Sequence, residues 1–178
     1  MYDLALVDGD NGSVDDLQPD RRFFDIEQYT RRTREGPCFI CAFVREVPGY
    51  RHHTVYEDET TIAFLNRYPT LLGYCLLAPI RHVEDWVHGL EESEFLNLQR
   101  LVRRVAQAIS ATVPTERMYT LSLGSQKGNA HVHWHIAPLP PGVPYERQQF
   151  HALMAEHGVL DIEDAAQAAL ARTIARRL

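Results

Sequence analysis

Three histidines occupy alternate positions in the stretch GNAHVHWHIAP, residues 128–138: His131, His133 and His135. Imidazole can act as nucleophile, acid, base or metal ligand near neutral pH. Successive strand side chains point to opposite faces, so a strand here puts the three rings on one face, roughly 6.5–7 Å apart. Val132, Trp134 and Ile136 then face a core. A solvent-facing strand tolerates histidine too, but it ordinarily mixes Thr, Lys, Glu and Arg. Three identical rings in register point to chemistry. The preceding loop, GSQKGNA (residues 124–130), carries two glycines whose neighbouring N–H groups can turn toward an anion. Such a loop leading into imidazoles suits a phosphate attacked from one side.

Cys38 and Cys41 form a second constellation. The two-residue gap lets both sulfurs reach one tetrahedral ion. Two further ligands are needed. His52 and His53 are nearest in sequence, His82 follows the LLAPI run, and His131 opens the histidine stretch. Spacing alone leaves two alternatives open: a zinc site, or two buried thiols behaving as small apolar side chains. Cys75 lies inside an apolar run and is expected in the core. An odd total of three cysteines argues against a disulfide framework.

The elements that must position these groups are legible as patterns. HTVYED followed by TTIAFLN reads as two strands joined by a turn at residues 57–59. GYCLLAP (73–79) reads as a nearly continuous apolar strand ended by Pro79. Phe95, Leu98, Leu101, Val102, Val105 and Ile109 recur at helical spacing from Glu92, predicting an amphipathic helix that stops before Pro114. MYTLSLG (118–124) is the next expected strand and residues 131–137 the last, with PLPPGVP (138–144) leaving the sheet. A final Ala-rich helix spans roughly 162–176, its late arginines suiting the C-terminal dipole. Strands follow one another directly, so the expected class is α+β with a mainly antiparallel sheet.

The whole chain has 178 residues, 45% of them hydrophobic and 24% charged, as in an ordinary globular protein. Its net charge of −6 provides no basic field for a nucleic-acid backbone, although a single nucleotide needs only a pocket. No apolar run approaches a membrane span, and the acidic N-terminus does not read as a signal peptide, so a cytoplasmic protein is expected. Residues 1–20 hold six aspartates and no base, and arginines follow from Arg21. This reads as a solvated arm or one that packs on a partner subunit.

The stretch HVHWHIA (131–137) resembles the signature of the histidine triad family of nucleotide hydrolases and transferases, His-φ-His-φ-His-φ-φ. AFLNRYPTLLGYCLLAPIRHVEDW (63–86) is similar to that family's nucleotide-binding strand pair, especially in its fragile histidine triad branch. The resemblance covers residues 38–140 as one domain, flanked by an acidic-then-basic extension (1–37) and a Pro-rich segment with the last helix (141–178). It implies a five-stranded antiparallel sheet with flanking helices, continued across a homodimer. It also implies release of a nucleoside monophosphate, AMP or another purine nucleotide, from a phosphoramidate or dinucleoside polyphosphate. His133 would be the nucleophile, forming a covalent nucleotidyl-histidine that water resolves. His135 would stabilise the phosphoryl oxygens. A third histidine, in place of the Gln of galactose-phosphate uridylyltransferases, leans toward hydrolysis. Asn66 would hold the ribose, while Phe64, Leu65 and Phe39 would wall the base. Zinc-bearing branches imply one structural zinc on Cys38, Cys41, His82 and His131, with no position open to substrate.

Two departures stand out. Gly128-Asn129-Ala130-His131 is two residues shorter than the family's Gly-Gln-Ser/Thr-φ-x-His loop, so Asn129 stands in for the amide and the hydroxyl has no counterpart. Ser122 occupies a place where Asn or Gln is usual, and Lys127 is a candidate to assist the leaving group. Three rivals follow: a phosphorylase that uses phosphate instead of water, a nucleotide-binding module with little turnover, and a thiol redox role for Cys38 and Cys41.

Overall fold

Thr54–Glu57 (β2) and Thr61–Leu65 (β3) pair around Asp58, whose carboxylate accepts the N–H groups of Thr60 and Thr61 and so fixes the turn. The computed structural model describes residues 19–178, so most of the acidic N-terminal stretch lies outside the described residues. Two short elements precede this hairpin beyond Arg21–Arg22 (β1): Ile26–Glu35 (α1), capped by Asp25, and Phe39–Val44 (α2), capped by the Cys38 sulfur. Cys75–Pro79 (β4) adds to β3, and both strands are buried at every residue, as inner strands covered on two faces must be.

A one-turn helix, Trp86–Gly89 (α3), leads to Glu92–Ser110 (α4), which starts in a capping box between Glu91 and Glu94. Arg117–Leu121 (β5) and Trp134–Leu139 (β6) complete a five-stranded antiparallel sheet of order β2-β3-β4-β6-β5. The expected α+β class and strand number are those observed. Phe150–Leu153 (α5), Val159–Leu160 (β7) and Asp164–Ala175 (α6) follow, with β7 pairing back to β1.

Strand alternation divides the sheet into two faces with different work. Leu65, Cys75 and Ile136 share one rung and turn toward α4 and α6, joining Val105, Ile109, Ala171 and Ile174 in the main core. Phe64, Leu76, His135 and Leu121 share the next rung and face the other way, where Phe64 and Leu76 pack with Ile40 of α2 in a second cluster. The candidate site stands on this second face.

Two expectations about the last strand need correction. Its ladder begins at Trp134 rather than residue 131, because the Pro79 carbonyl accepts from His131 Nε2 and Val132 N donates to Val83 O outside any ladder. The alternation survives in the extended backbone, with Val132, Trp134 and Ile136 all in the main core. The strand also runs through Pro138 to Leu139 rather than stopping before them. Pro138 pairs with Met118 of β5 beyond the last rung to β4, where no second neighbour requires its missing N–H.

Candidate active site and metal centre

A cavity of about 310 Å³ opens on the second face, with His133 and His135 on its floor. Aromatic rings run along it in sequence. The centroid of Tyr74 lies 5.8 Å from that of His135, His135 4.8 Å from His133, His133 5.6 Å from Phe39, and Phe39 6.1 Å from His52. The loop of residues 123–129 and helix α1 help to wall it. Asn129 Nδ2 donates to the Tyr29 hydroxyl across 2.9 Å, clasping loop to helix. Gly124 is required in that loop, since a Cβ there would lie 2.9 Å from the Asn129 carbonyl oxygen.

The tautomer of His133 follows from its neighbours. Its Nδ1 lies 2.7 Å from the His131 carbonyl, which can only accept, so Nδ1 carries the proton and Nε2 keeps its lone pair. Burial holds the ring below the ordinary histidine range, which keeps it neutral and nucleophilic. His135 is pushed down to about 3, by burial first and the nearby His133 second. Tyr74 Oη lies 2.8 Å from His135 Nδ1, and burial raises that phenol, keeping it a donor. The arrangement therefore sets a lone pair at His133 Nε2 beside an N–H at His135 Nε2.

Cys38, Cys41, His82 and His131 converge, their four ligand atoms all within 4.8 Å of one another. Sulfur-to-nitrogen separations are 3.4 Å for Cys38–His131, 3.3 Å for Cys41–His82 and 3.6 Å for Cys41–His131. Tetrahedral zinc with bonds of about 2.3 Å to sulfur and 2.0–2.1 Å to nitrogen needs about 3.6 Å. Both histidines offer Nδ1 to the cluster while Nε2 is fixed outside it, His131 to Pro79 O at 2.9 Å and His82 to Glu84 at 3.0 Å. Oriented ligands of this kind are typical of metal sites. Burial pushes the Cys41 thiol up to about 11, a burden that a bound cation removes.

The remaining expected residues separate. Phe39, Asn66 and Asn129 line the cavity with the two histidines. Leu65 does not: alternation turns it into the main core on the opposite face. Phe64 lies beneath the floor, covered by Phe39, Phe43 and His52. Ser122 is a brace, its hydroxyl donating to the His133 carbonyl at 2.9 Å. Lys127 lines an adjoining cavity of about 290 Å³ over the Cys38, His82 and His131 cluster. His52 and His53, nearest the cysteines in sequence, stand apart from them, His52 at the far end of the ring row and His53 against Asp164. Cys75 is fully buried in the core, as its apolar setting suggested. Nothing in the sequence singles out Tyr29, Arg32, Tyr50, Arg67 or Tyr74: the first three lie outside the two motifs, and Arg67 and Tyr74 lie inside one without marking themselves as site residues.

Comparison with known proteins closes the question of kinship. An uncharacterized HIT-like protein of Saccharolobus solfataricus is 28% identical over 103 residues, 56% of this chain and 73% of that protein. One from Mycobacterium tuberculosis is 29% identical over 109 residues, 57% and 71% of the respective chains. The crystal structure of a hypothetical histidine triad nucleotide-binding protein from Sulfolobus tokodaii superposes with a TM-score of 0.62 at 27% identity, covering 79% of this chain and 91% of the other. A Zn-bound histidine triad family protein from Mycobacterium smegmatis gives 0.61 at 19% identity, with 79% and 91% coverage, and so shares the fold. Residues 48–141 match the HIT domain, just over half of the chain, and the protein therefore belongs to the HIT domain family.

Proposed function

We propose that this protein is a nucleotide hydrolase that releases a nucleoside monophosphate, AMP or another purine nucleotide, from a phosphoramidate or dinucleoside polyphosphate. The observation that carries the reading is the unencumbered Nε2 of neutral His133, held on a cavity floor by the His131 carbonyl. Its lone pair attacks the α-phosphorus, forming a P–N bond as the leaving group departs with the electrons of its bond to phosphorus. His135 Nε2–H donates to a phosphoryl oxygen as charge gathers there. Water then attacks the same phosphorus, returning the electron pair to His133 and freeing the monophosphate. Asn66 is the ribose contact. Its Oδ1 accepts from Tyr68 N at 2.9 Å, which leaves the amide N–H groups for the hydroxyl oxygens. Phe39 and His52 flank the base, and Asn129 closes the phosphate side.

The domain that does this spans residues 38–140, and the flanking segments serve it. Zinc fits the Cys38, Cys41, His82 and His131 cluster by donor type and spacing. When bound it supplies a structural cross-link with no coordination position left for substrate. The Zn-bound relative supports that assignment. None of the three cysteines is in a disulfide, in keeping with a cytoplasmic setting, and no helix among the described residues is long and apolar enough to cross a membrane. Sheet edges at β2 and β5 offer a route to the homodimer.

Release of AMP from adenosine phosphoramidate and from a diadenosine polyphosphate tests the reading, measured for wild type and His133→Asn. Release from either substrate by the wild type, falling at least about a thousandfold in the variant, supports it. AMP binding without release from either substrate would make this a binding module. ADP appearing only when phosphate is added would make it a phosphorylase.

A further inference from the structure

The cavity holds more positive charge than one phosphate at His133 needs. Arg32 of α1 and Arg67, one residue beyond Asn66, both line it, and among the described residues no Asp or Glu does. Arg32 Nη2 donates to the Gly49 carbonyl at 2.6 Å and Arg67 Nη1 to the same oxygen at 2.5 Å. Neither guanidinium has a carboxylate partner among the described residues. Each is instead held over a ring, Arg32 4.6 Å from the Tyr50 centroid and Arg67 5.7 Å from that of Tyr68. Fastening the loop at Gly49 needs one guanidinium. Two on one carbonyl set like charges together with most of their N–H donors unused, in a chain whose net charge is −6.

Position says which end of a ligand they serve. The ring row places His52 beyond Phe39, on the side away from His133. Both guanidiniums meet at the Gly49 carbonyl, three residues before His52 in the chain, so the pair lies at that end. We infer that Arg32 and Arg67 form a second anion subsite, receiving a phosphate ester on a ribose hydroxyl of the substrate. The substrate class is then a nucleotide phosphorylated at the 2′ or 3′ position as well as the 5′ position. This rests on the proposed function, in which the 5′ phosphorus sits at His133 and the ribose at Asn66. Arg67 adjoins Asn66 in the chain, and two guanidinium forks suit the three oxygens of a phosphate ester.

Calorimetric titration of the full chain with AMP, adenosine 3′,5′-bisphosphate, adenosine 2′,5′-bisphosphate and diadenosine tetraphosphate tests the subsite. The experiment is run on wild type, Arg32→Gln, Arg67→Gln and the double variant. Both arginines are exposed, so neutral replacements at these positions are compatible with folding. One bisphosphate is expected to bind at least about tenfold tighter than AMP, and that ratio to fall toward one in the double variant. Bisphosphates binding no tighter than AMP, or an advantage that survives in the double variant, overturn the subsite. So does an arginine-dependent gain confined to diadenosine tetraphosphate, which would place the charge on the leaving group. Arginine-dependent bisphosphate binding with no measurable AMP affinity keeps the subsite and overturns the monophosphate reading. Binding of none of the four ligands overturns both.

Discussion

At the scale of single residues, the least expected assignment concerns Tyr74. Leu76 is the cross-strand partner of His135, and Tyr74 lies two residues away on the same face, which brings its hydroxyl 2.8 Å from His135 Nδ1. With the protonated phenol donating to Nδ1, the His135 proton resides on Nε2, where it can meet a phosphoryl oxygen. Tyr74→Phe removes this control and lets the ring populate the other tautomer or rotate. A lost hydrogen bond of about 1 kcal/mol corresponds to roughly a fivefold fall in kcat, with KM changing less. Nitrogen NMR of the His135 ring separates positioning from mere packing: the variant should lose the clean Nε2–H signature. An unchanged tautomer with an unchanged kcat would remove Tyr74 from the account. Nothing in GYCLLAP hints at this pairing, because it depends on the register between two strands separated by about sixty residues. The triad histidines, by contrast, were legible as a motif.

At the scale of elements, the start of β6 is the part of the site most in need of support. Residues 131–133 belong to no ladder, and yet His133 must be fixed. What holds them is a set of non-ladder bonds from Pro79 O, Val83 O and Ser122 Oγ, together with the Cys38, Cys41, His82 and His131 cluster. That cluster ties α2, the turn after β4 and the approach to β6 together. Cys38→Ser should therefore abolish stoichiometric zinc and lower Tm by about 5–15 °C, the range expected for losing a few kcal/mol from a chain of this length. The rate of AMP release should fall with it, since His133 Nδ1 is oriented by the backbone of His131, a member of the cluster. Metal analysis beside a melting curve checks both; full zinc retention in the variant would refute the four-ligand site. Helices α1 and α2 explain much of what the sequence concealed. The short α2 is capped by a cysteine sulfur, which matches no common capping residue, and α1 looked like part of a charged extension. Leu65 was misplaced for a simpler reason, since adjacent strand residues cannot both wall one cavity.

At the scale of the whole molecule, the sheet separates stability from function by its two faces. The long helix α4 and the C-terminal α6 seal the main core on the face away from the cavity, and Arg104 reaches the Leu178 carbonyl to fasten the chain end there. Elsewhere, β1 and β7 join the two flanking segments, while Arg21 ties them to Thr70 before the loop that leads to Tyr74. The amphipathic period of α4 was plain in the sequence; which face of the sheet it would cover was not, because that depends on packing rather than on period. Ile174 is fully buried in the main core. Ile174→Ala should cost about 2–5 kcal/mol, lowering Tm by roughly 4–15 °C for a chain of this size. Because the cavity lies across the sheet, the affinity for AMP at 25 °C should stay within about twofold of wild type, as expected for well-separated sites. Differential scanning calorimetry and nucleotide titration on the same preparation measure the two effects together. A loss of affinity that tracks the loss of stability would mean that the two faces are coupled through the strands, and that α6 takes part in shaping the site.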